Sequence, residues 1–384
     1  MHRLILAIAL AVALVLALAP PSSSAGSVYV AREGDTIVIP TGVTVTIVSG
    51  QPASPSPVPS APPSRTPSAV PLPGPTMSPA PPSRPPCGTL QSRIDAAPAG
   101  SVLDLSGCSY STGATIAKRL TLRGARIVAP ADSFGLRVTA DDVTLEAITI
   151  EGAQATAYDA AEKCLSAPGT ATGPIERLTI RSSTIRRCGY GGIHLRYVTD
   201  AIVEDNLIED AVYAGIMLAS VSHSVIEANT VRRVGLVGSG ANSNNAYGIV
   251  ATQESGGAHS SDVLIRDNLV ESIPTWHGLD THGGIRIRFE DNTVRAVRRA
   301  AFLTGGPVDV VFSGNTLVGP SAAQQAACPA DAPAAYCADI RAITLVSADG
   351  AIVTDNTGSG WGGRWFLDYG GDSTGVVLSG NSVT

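Results

Sequence analysis

Five of the six histidines fall between His194 and His282, and the densest group of chemistry-bearing residues is the run WHGLDTHGGIRIR, Trp276 to Arg288. On an extended strand, Leu279 and Thr281 face inward while Asp280 and His282 face outward, about 7 Å apart. A histidine beside a carboxylate is a candidate general base, since an ordinary imidazole titrates near pH 6.5. Asp280 would orient the His282 ring and stabilise its charged form. Arg286 and Arg288 face outward on the following strand, where a guanidinium can neutralise developing negative charge. The loop QESGGAHSS brings Glu254 and His259 beside His282. Trp276, Glu254 and His259 are therefore candidate substrate contacts, and histidine, carboxylate and guanidinium in one cleft define the candidate site. The competing expectation is that Asp280 and His282 form only a surface pair.

The elements that must position these residues repeat. YGGIHLRYVTDAIVEDNLIED, YAGIMLASVSHSVIEANTVRR, WHGLDTHGGIRIRFEDNTVRA and AAFLTGGPVDVVFSGNTLVGP share a Gly-Ile-like start and an apolar-x-apolar-x-x-Asn-x-apolar core. The repeated asparagines, Asn206, Asn229, Asn268, Asn292, Asn315, Asn356 and Asn381, are separated by 23, 39, 24, 23, 41 and 25 residues. Ser183 and Ile148 hold the same slot in weaker copies. A period in the twenties built of short β-branched strands and glycine predicts a coiled solenoid. Leucine-rich repeats share the period but carry denser leucines and recurrent helices.

Stacked coils turn aligned positions into columns. The asparagine column predicts an amide ladder inside a turn. Arg186, Glu209, Arg232, Glu271 and Arg295 alternate in sign and predict a salt-bridge ladder. Tyr190, Tyr213 and Trp276 also suit corner stacking. Ile202, Val225, Leu264, Arg288, Val311, Ile352 and Val377 form an outward, largely apolar stripe that predicts a covering element. The Ser27–Gly50 segment or a second copy of the chain is the expected cover. Insertions at Gly235–Asn245 and Pro320–Asp339 bracket the His282 coil and would wall a groove about 14 Å wide.

On this repeat, residues 87–384 resemble the right-handed parallel β-helices of the pectate-lyase-like superfamily. The stretch CGTLQSRIDAAPAGSVLDLSGCSY is similar to their usual start, a short helix capping the first coil. The resemblance implies an all-β fold, a right-handed parallel β-helix of about ten coils with a short N-terminal capping helix. His277-Gly278-Leu279-Asp280-Thr281-His282-Gly283 also resembles the signature strand of secreted mannuronan epimerases and related lyases, Tyr-Gly-aliphatic-Asp-Pro-His-acid. Asp280 and His282 match; His277 replaces tyrosine, Thr281 proline and Gly283 the acid, and Thr304 stands where the next coil would supply another acid. That resemblance implies abstraction of the carbon-5 proton of a uronate by His282, with epimerisation or lysis as outcomes and His277 as a further catalytic candidate. Polygalacturonase-like hydrolysis would need a close carboxylate set, and the mid-helix coils hold no such pair.

The chain has 384 residues, only 15% of them charged. Met-His-Arg precedes an apolar run, Leu4–Ala19, of 16 residues, short of the roughly 20 a spanning helix needs. The small residues that follow predict a signal peptide over 1–25, so no transmembrane span remains after cleavage and the mature chain is secreted or cell-surface. A short β segment occupies 26–50, and residues 51–86, with 15 prolines, predict an extended linker to the domain at 87–384. In an exported chain six cysteines suggest disulfides. Fifteen connectivities are possible, and neighbour pairing is expected: Cys87 with Cys108, Cys164 with Cys188, Cys328 with Cys337. No cofactor and no metal ligand set are expected. Calcium would need an acidic cluster, and Asp267 and Asp291 on adjacent coils read equally as ladder members. Four of 26 basic and two of 32 acidic residues precede residue 87, leaving the domain at −8, which does not favour nucleic acid. The expected partner is an extracellular polysaccharide, bound and processed by uronate epimerase- or lyase-type chemistry. The rival is a non-catalytic surface or adhesion scaffold that binds glycan or protein.

Overall fold

The computed structural model describes residues 87–153, 163–235, 245–326 and 340–384, and before them only the backbone of five short strands. Short strands stack in parallel, coil upon coil, on three faces. The front sheet has ten strands in register from Ala114–Ile116 to Phe366–Tyr369. A second sheet runs from Val102–Asp104 to Val377–Ser379, and a third from Ser109–Tyr110 to Ser382–Val383. Each inward column is apolar. Leu145, Ile180, Val203, Ile226, Ile265 and Phe289 follow one another on the second sheet, and all are fully buried.

The asparagines form the expected ladder. From Asn206 to Asn381 each Nδ2 donates to the next Oδ1 at 2.9–3.0 Å, and six of the seven side chains are buried. The same oxygen also accepts the backbone N–H of the asparagine one coil below, 3.1 Å for Asn206 to Asn229. Asn206 in turn accepts from the Ser183 N–H, and Ser183 Oγ from the Ile148 N–H, so the weaker copies continue the ladder. A left-handed residue precedes each rung, at φ 54–56° for Asp205, Asp267, Asp291 and Asp355. Aspartate tolerates that region better than most residues. Asp267 and Asp291 are thus turn formers, and among the described residues no acidic, histidine or cysteine group is arranged to hold a metal ion.

The sign-alternating column pairs as expected: Arg186 with Glu151, Arg232 with Glu209, Arg295 with Glu271. A second ladder on another sheet, Arg123–Glu146–Arg181 and Glu227–Arg266, extends the device. The recurring Gly-Ile also has a steric reason. At Gly215, Gly248 and Gly278 a Cβ would come within 2.2–2.5 Å of Val231, Val270 and Val294, so only glycine lets the front strand close on the neighbouring sheet.

The helix Leu90–Ala96 covers the first coil, burying Leu90 and Ile94 under a Thr89 N-cap. Gln91 pairs with the backbone of Thr115 through both amide atoms, 2.8 and 3.1 Å, satisfying an otherwise open strand edge. At the other end Trp361 is buried with its Nε1 donating to Leu317 O at 3.0 Å, whereas Tyr369 is exposed. Cys87–Cys108 and Cys164–Cys188 are disulfide-bonded; Cys328 and Cys337 lie outside the described residues. The apolar stripe is one register column. The backbone of Ser27–Ala31 pairs with Val377 and Leu378, beyond the last coil and not along the stripe. Among the described residues no helix is long and apolar enough to cross a membrane.

Replacing Asn268 by Ala orphans the N–H and Nδ2 donors of Asn229 and the carbonyl of Ile226. Several buried hydrogen bonds worth about 1 kcal/mol each are lost, with an added penalty for each unsatisfied partner, so we expect destabilisation of about 3 kcal/mol in urea unfolding. Asn381→Ala, on the last coil, should cost less than half of that. Equal costs at the two positions would mean that the ladder does not hold the coils in register.

Candidate functional site

Two strands, Leu269–His282 and Thr293–Thr304, run unbroken across the corner between the third and front sheets, with a register irregularity between Ile273 and His277. Past that corner His277, Leu279 and Thr281 pair with Tyr247, Ile249 and Ala251 on one side, and His277 and Leu279 with Arg299 and Ala301 on the other. Leu279 is core. Asp280 sits on the outward face between Val250 and Phe302, yet its side chain is 0% exposed.

Side chains from the same strand cover it. His277 Nδ1 donates to Asp280 Oδ2. Arg299 Nη1 lies 2.8 Å from His277 Nε2, and a guanidinium can only donate, so Nε2 accepts and the proton resides on Nδ1. The imidazole is held between two rings, Trp276 and Phe302, each with its centroid 4.3 Å away. Arg299 lies 4.5 Å over Trp276. On the other side Asp280 Oδ1 stands 3.1 Å from His282 Nε2, an ion-pair distance without hydrogen-bond alignment. The His282 side chain is 41% exposed, the one solvent-facing member of the chain Arg299–His277–Asp280–His282.

The protonation states follow from this arrangement. Burial alone would push the Asp280 carboxyl up, but the charges of His277 and His282 and the hydrogen bond from His277 outweigh it and hold the group below the usual carboxylate range. Burial pulls His277 down, against the pull of Asp280, so it is neutral at pH 7. The Asp280 charge raises His282 more than partial burial lowers it. The anion is therefore fixed inside, and the surface histidine is the group that exchanges protons near neutrality.

The structure brings together His277, Asp280, His282, Trp276 and His259, whose Nδ1 lies 3.1 Å from the His282 carbonyl oxygen. Gly283 permits this approach: at φ +69° it has no Cβ, and one would come within 2.2 Å of the His259 ring. Three expectations are corrected. Arg286 is on another face, paired with Asp262, and Arg288 is on the second sheet, paired with Glu290; the Gly283–Gly284 turn carries both away from His282. Glu254 turns toward the preceding coils, 4.0 Å from Arg196. His277 is wholly buried against Asp280, so it is not placed to contact a ligand directly. Two residues were missed. Arg299 follows His277 by one coil length of 22 residues, and that offset was the available signal. Tyr247 extends the aromatic column, its ring 5.5 Å from Tyr213 and 5.9 Å from His282, with Tyr190 5.1 Å beyond Tyr213. The bracketing insertions lie outside the described residues over 236–244 and 327–339.

Residues 135–275 match the family described as the right handed beta helix region. Three solved structures share the architecture. The alginate lyase from Paenibacillus sp. str. FPU-7 has TM-score 0.51 and 15% identity, over 77% of this chain and 94% of that one. The DFA-IIIase from Arthrobacter chlorophenolicus A6 has TM-score 0.52 and 13% identity, over 76% and 82%. The enzymatically active domain of bacteriophage CBA120 tailspike protein 2 has TM-score 0.51 and 11% identity, over 70% and 40%. The chain spans 61%, 51% and 40% of the length of three of the solved chains it matches. At such identities the likeness is one of fold. No curated protein matches the chain in sequence.

Histidine-ring NMR across a pH series tests the assigned states. We expect His277 to stay neutral well below pH 6.5 with its proton on Nδ1, and His282 to titrate above 6.5. Asp280→Asn removes the charge that raises His282, so its midpoint should move to lower pH. A His282 midpoint unmoved by that substitution would disconnect the two groups.

Proposed function

We propose that this right-handed parallel β-helix is a secreted protein that binds an extracellular polysaccharide along its front face and processes it with His282 as general base. The observation that carries the reading is the burial of a complete Arg–His–Asp chain behind a single exposed imidazole. A surface ion pair needs no such support. Burying a carboxylate is costly unless it is fully paired, and here the pairing ends on a group able to accept a proton from a bound ligand. A fold shared with an alginate lyase supports the polysaccharide, and the two disulfides support an oxidising, extracellular setting.

For a uronate the step balances as follows. Neutral His282 takes the proton from carbon 5, and the C–H electron pair moves into an enolate-like carboxylate. Protonation of the opposite face by solvent water inverts the centre, and His282 gives its proton back to solvent. Alternatively the electron pair forms the C4=C5 double bond, the C4–O bond breaks, and the leaving oxygen takes a proton from the imidazolium. Asp280 stabilises the imidazolium that forms, and His277, pinned by Arg299, keeps Asp280 ionised and in place. Trp276, half-buried, offers ring surface near the base, and the buried Tyr247 ring packs edge-on against His282.

The second reading, a glycan-binding scaffold without turnover, is favoured by one observation. Arg286 and Arg288, expected to neutralise the reacting carboxylate, are on other faces, and Arg299 is committed to His277.

Incubation of the secreted chain with neutral and uronic glycans, followed by absorbance near 235 nm and proton NMR, separates the readings. We expect turnover of a uronate polymer that His282→Ala reduces by about 10²–10⁴, the usual worth of a general base. The wild-type rate should rise with pH through a midpoint above 6.5, because the base must be neutral and Asp280 raises its pKa. Binding without turnover, identical in His282→Ala, would leave the scaffold reading.

A further inference from the structure

A cavity of about 390 Å³ opens on the same front face, lined among others by Arg137, Lys163, Arg196, His194, Phe134 and Asp132. We propose that it is a subsite for the carboxylate of an acidic sugar, filled by one residue of a glycan chain while another residue of that chain lies at His282. The proposal rests on the reading above, that this face holds an acidic polysaccharide.

Charge singles the cavity out. The chain carries a net −6, and its arginines are mostly consumed by ladder carboxylates, as Arg186, Arg232 and Arg295 are. Here three permanent cations converge, and Asp132 is the one acid among the described lining residues. Arg137 has Thr115 and Ser166 as its neighbours in register and forms no ion pair among the described residues. The nearest acid to Arg196 is Glu254, at 4.0 Å, and the Arg196 Nε is buried without a hydrogen-bond partner. The Lys163 ammonium lies 4.6 Å over the Tyr190 ring, held on the side facing the aromatic strip. Phe134 and Pro168 add apolar wall, which suits a sugar ring with a charged substituent.

Register then ties the cavity to the reactive histidine. Arg137, Ser166, His194, Met217, Val250 and Asp280 occupy one outward column, so His194 at the near rim of the cavity and Asp280 are three coil steps, about 14 Å, apart. Tyr190, Tyr213 and Tyr247 bridge that interval with ring centroids 5.1 and 5.5 Å apart. Cation cluster, aromatic strip and base lie in one line along the solenoid axis, the direction a linear polymer would take. Burial, with Lys163 and Arg196 adding to it, depresses His194 to about 3, so at neutral pH its imidazole is an uncharged hydrogen-bonding partner inside a positive cavity.

The test uses the full secreted chain with labelled histidines, because His194 reports the cavity and His282 the reactive position. Oligouronates of increasing length, and neutral oligosaccharides of the same lengths, are titrated by calorimetry and followed by ring NMR. We expect short oligouronates to bind weakly, and those long enough to span three coils to shift both rings and bind at least tenfold more tightly. Arg137→Gln and Arg196→Gln should each reduce that gain by roughly tenfold, the worth of one charge-assisted hydrogen bond, and reduce the His194 shift. Oligouronates that shift His282 but never His194 would overturn the subsite and leave the reading of the face intact. A shift at His194 with His282 silent would keep the subsite and overturn the placement of the reacting ring. Silence at both would overturn both, and a response to sulfated but not uronic chains would overturn the carboxylate assignment.

Discussion

Coil-to-coil register is the constraint on which everything else depends. A parallel stack has no tight hairpins to set its pairing, and a slip of one residue would reverse every inward and outward side chain. The asparagine ladder prevents that slip. Each amide oxygen accepts from both the backbone and the side chain of the rung below, so a coil displaced by one residue would bury several unpaired polar groups. The ladder runs inside a turn, where a left-handed residue before each rung presents the amide inward. With the turn fixed, the front strand must close against its neighbour sheet, and the glycines at 215, 248 and 278 make that closure possible. Asp280 is two residues beyond one of them. Its place on the face is thus set by contacts remote from any chemistry.

The site uses that rigidity to hold a charge where water does not reach it. A carboxylate with no exposed surface persists only if its partners are equally fixed. Those partners come from one strand and from the next coil: His277 and His282 flank Asp280 in sequence, and Arg299 arrives through register. Trp276 and Phe302 close over His277 and leave its ring little freedom to rotate. The same low-dielectric surroundings that make the arrangement costly also strengthen the pull of Asp280 on His282, which is how a distant arginine can bear on a surface imidazole.

Much of this architecture was legible because repetition is a sequence property. Seven asparagines and an alternating charge column each predicted a line of contacts, and the apolar stripe predicted a covering element; all three are register columns, but the Ser27–Ala31 backbone pairs beyond the last coil and not along the stripe. Cysteines 21 and 24 residues apart fell into neighbouring positions for the same reason. What could not be read was the behaviour of corners. Arg286 and Arg288 were expected to face outward on the following strand and to converge with His282, but the Gly283–Gly284 turn sends the chain to different faces. Strand alternation placed Asp280 outward and correctly so. It carried no information on the rings that cover that surface, because Phe302 and Arg299 belong to a later coil. Tyr247 escaped notice because the insertion before it obscured its place in the repeat.

The distribution of charge along the front face connects these observations. Ladders elsewhere neutralise arginine with glutamate coil by coil, a device that stabilises a solenoid and leaves its flanks without strong fields. The front face departs from it twice: at Asp280, where the anion is enclosed, and at Arg137, Lys163 and Arg196, where the cations outnumber the acids. A purely structural face gains nothing from either departure, since clustered cations repel one another and enclosed carboxylates cost desolvation energy. Both become favourable if an anionic chain lies across the strip between them, bringing charge to the cations and a proton to the imidazole. In that arrangement the affinity for a polyanion resides three coils from the base, so a domain with net negative charge can hold an acidic polymer without placing an arginine beside the reacting carbon.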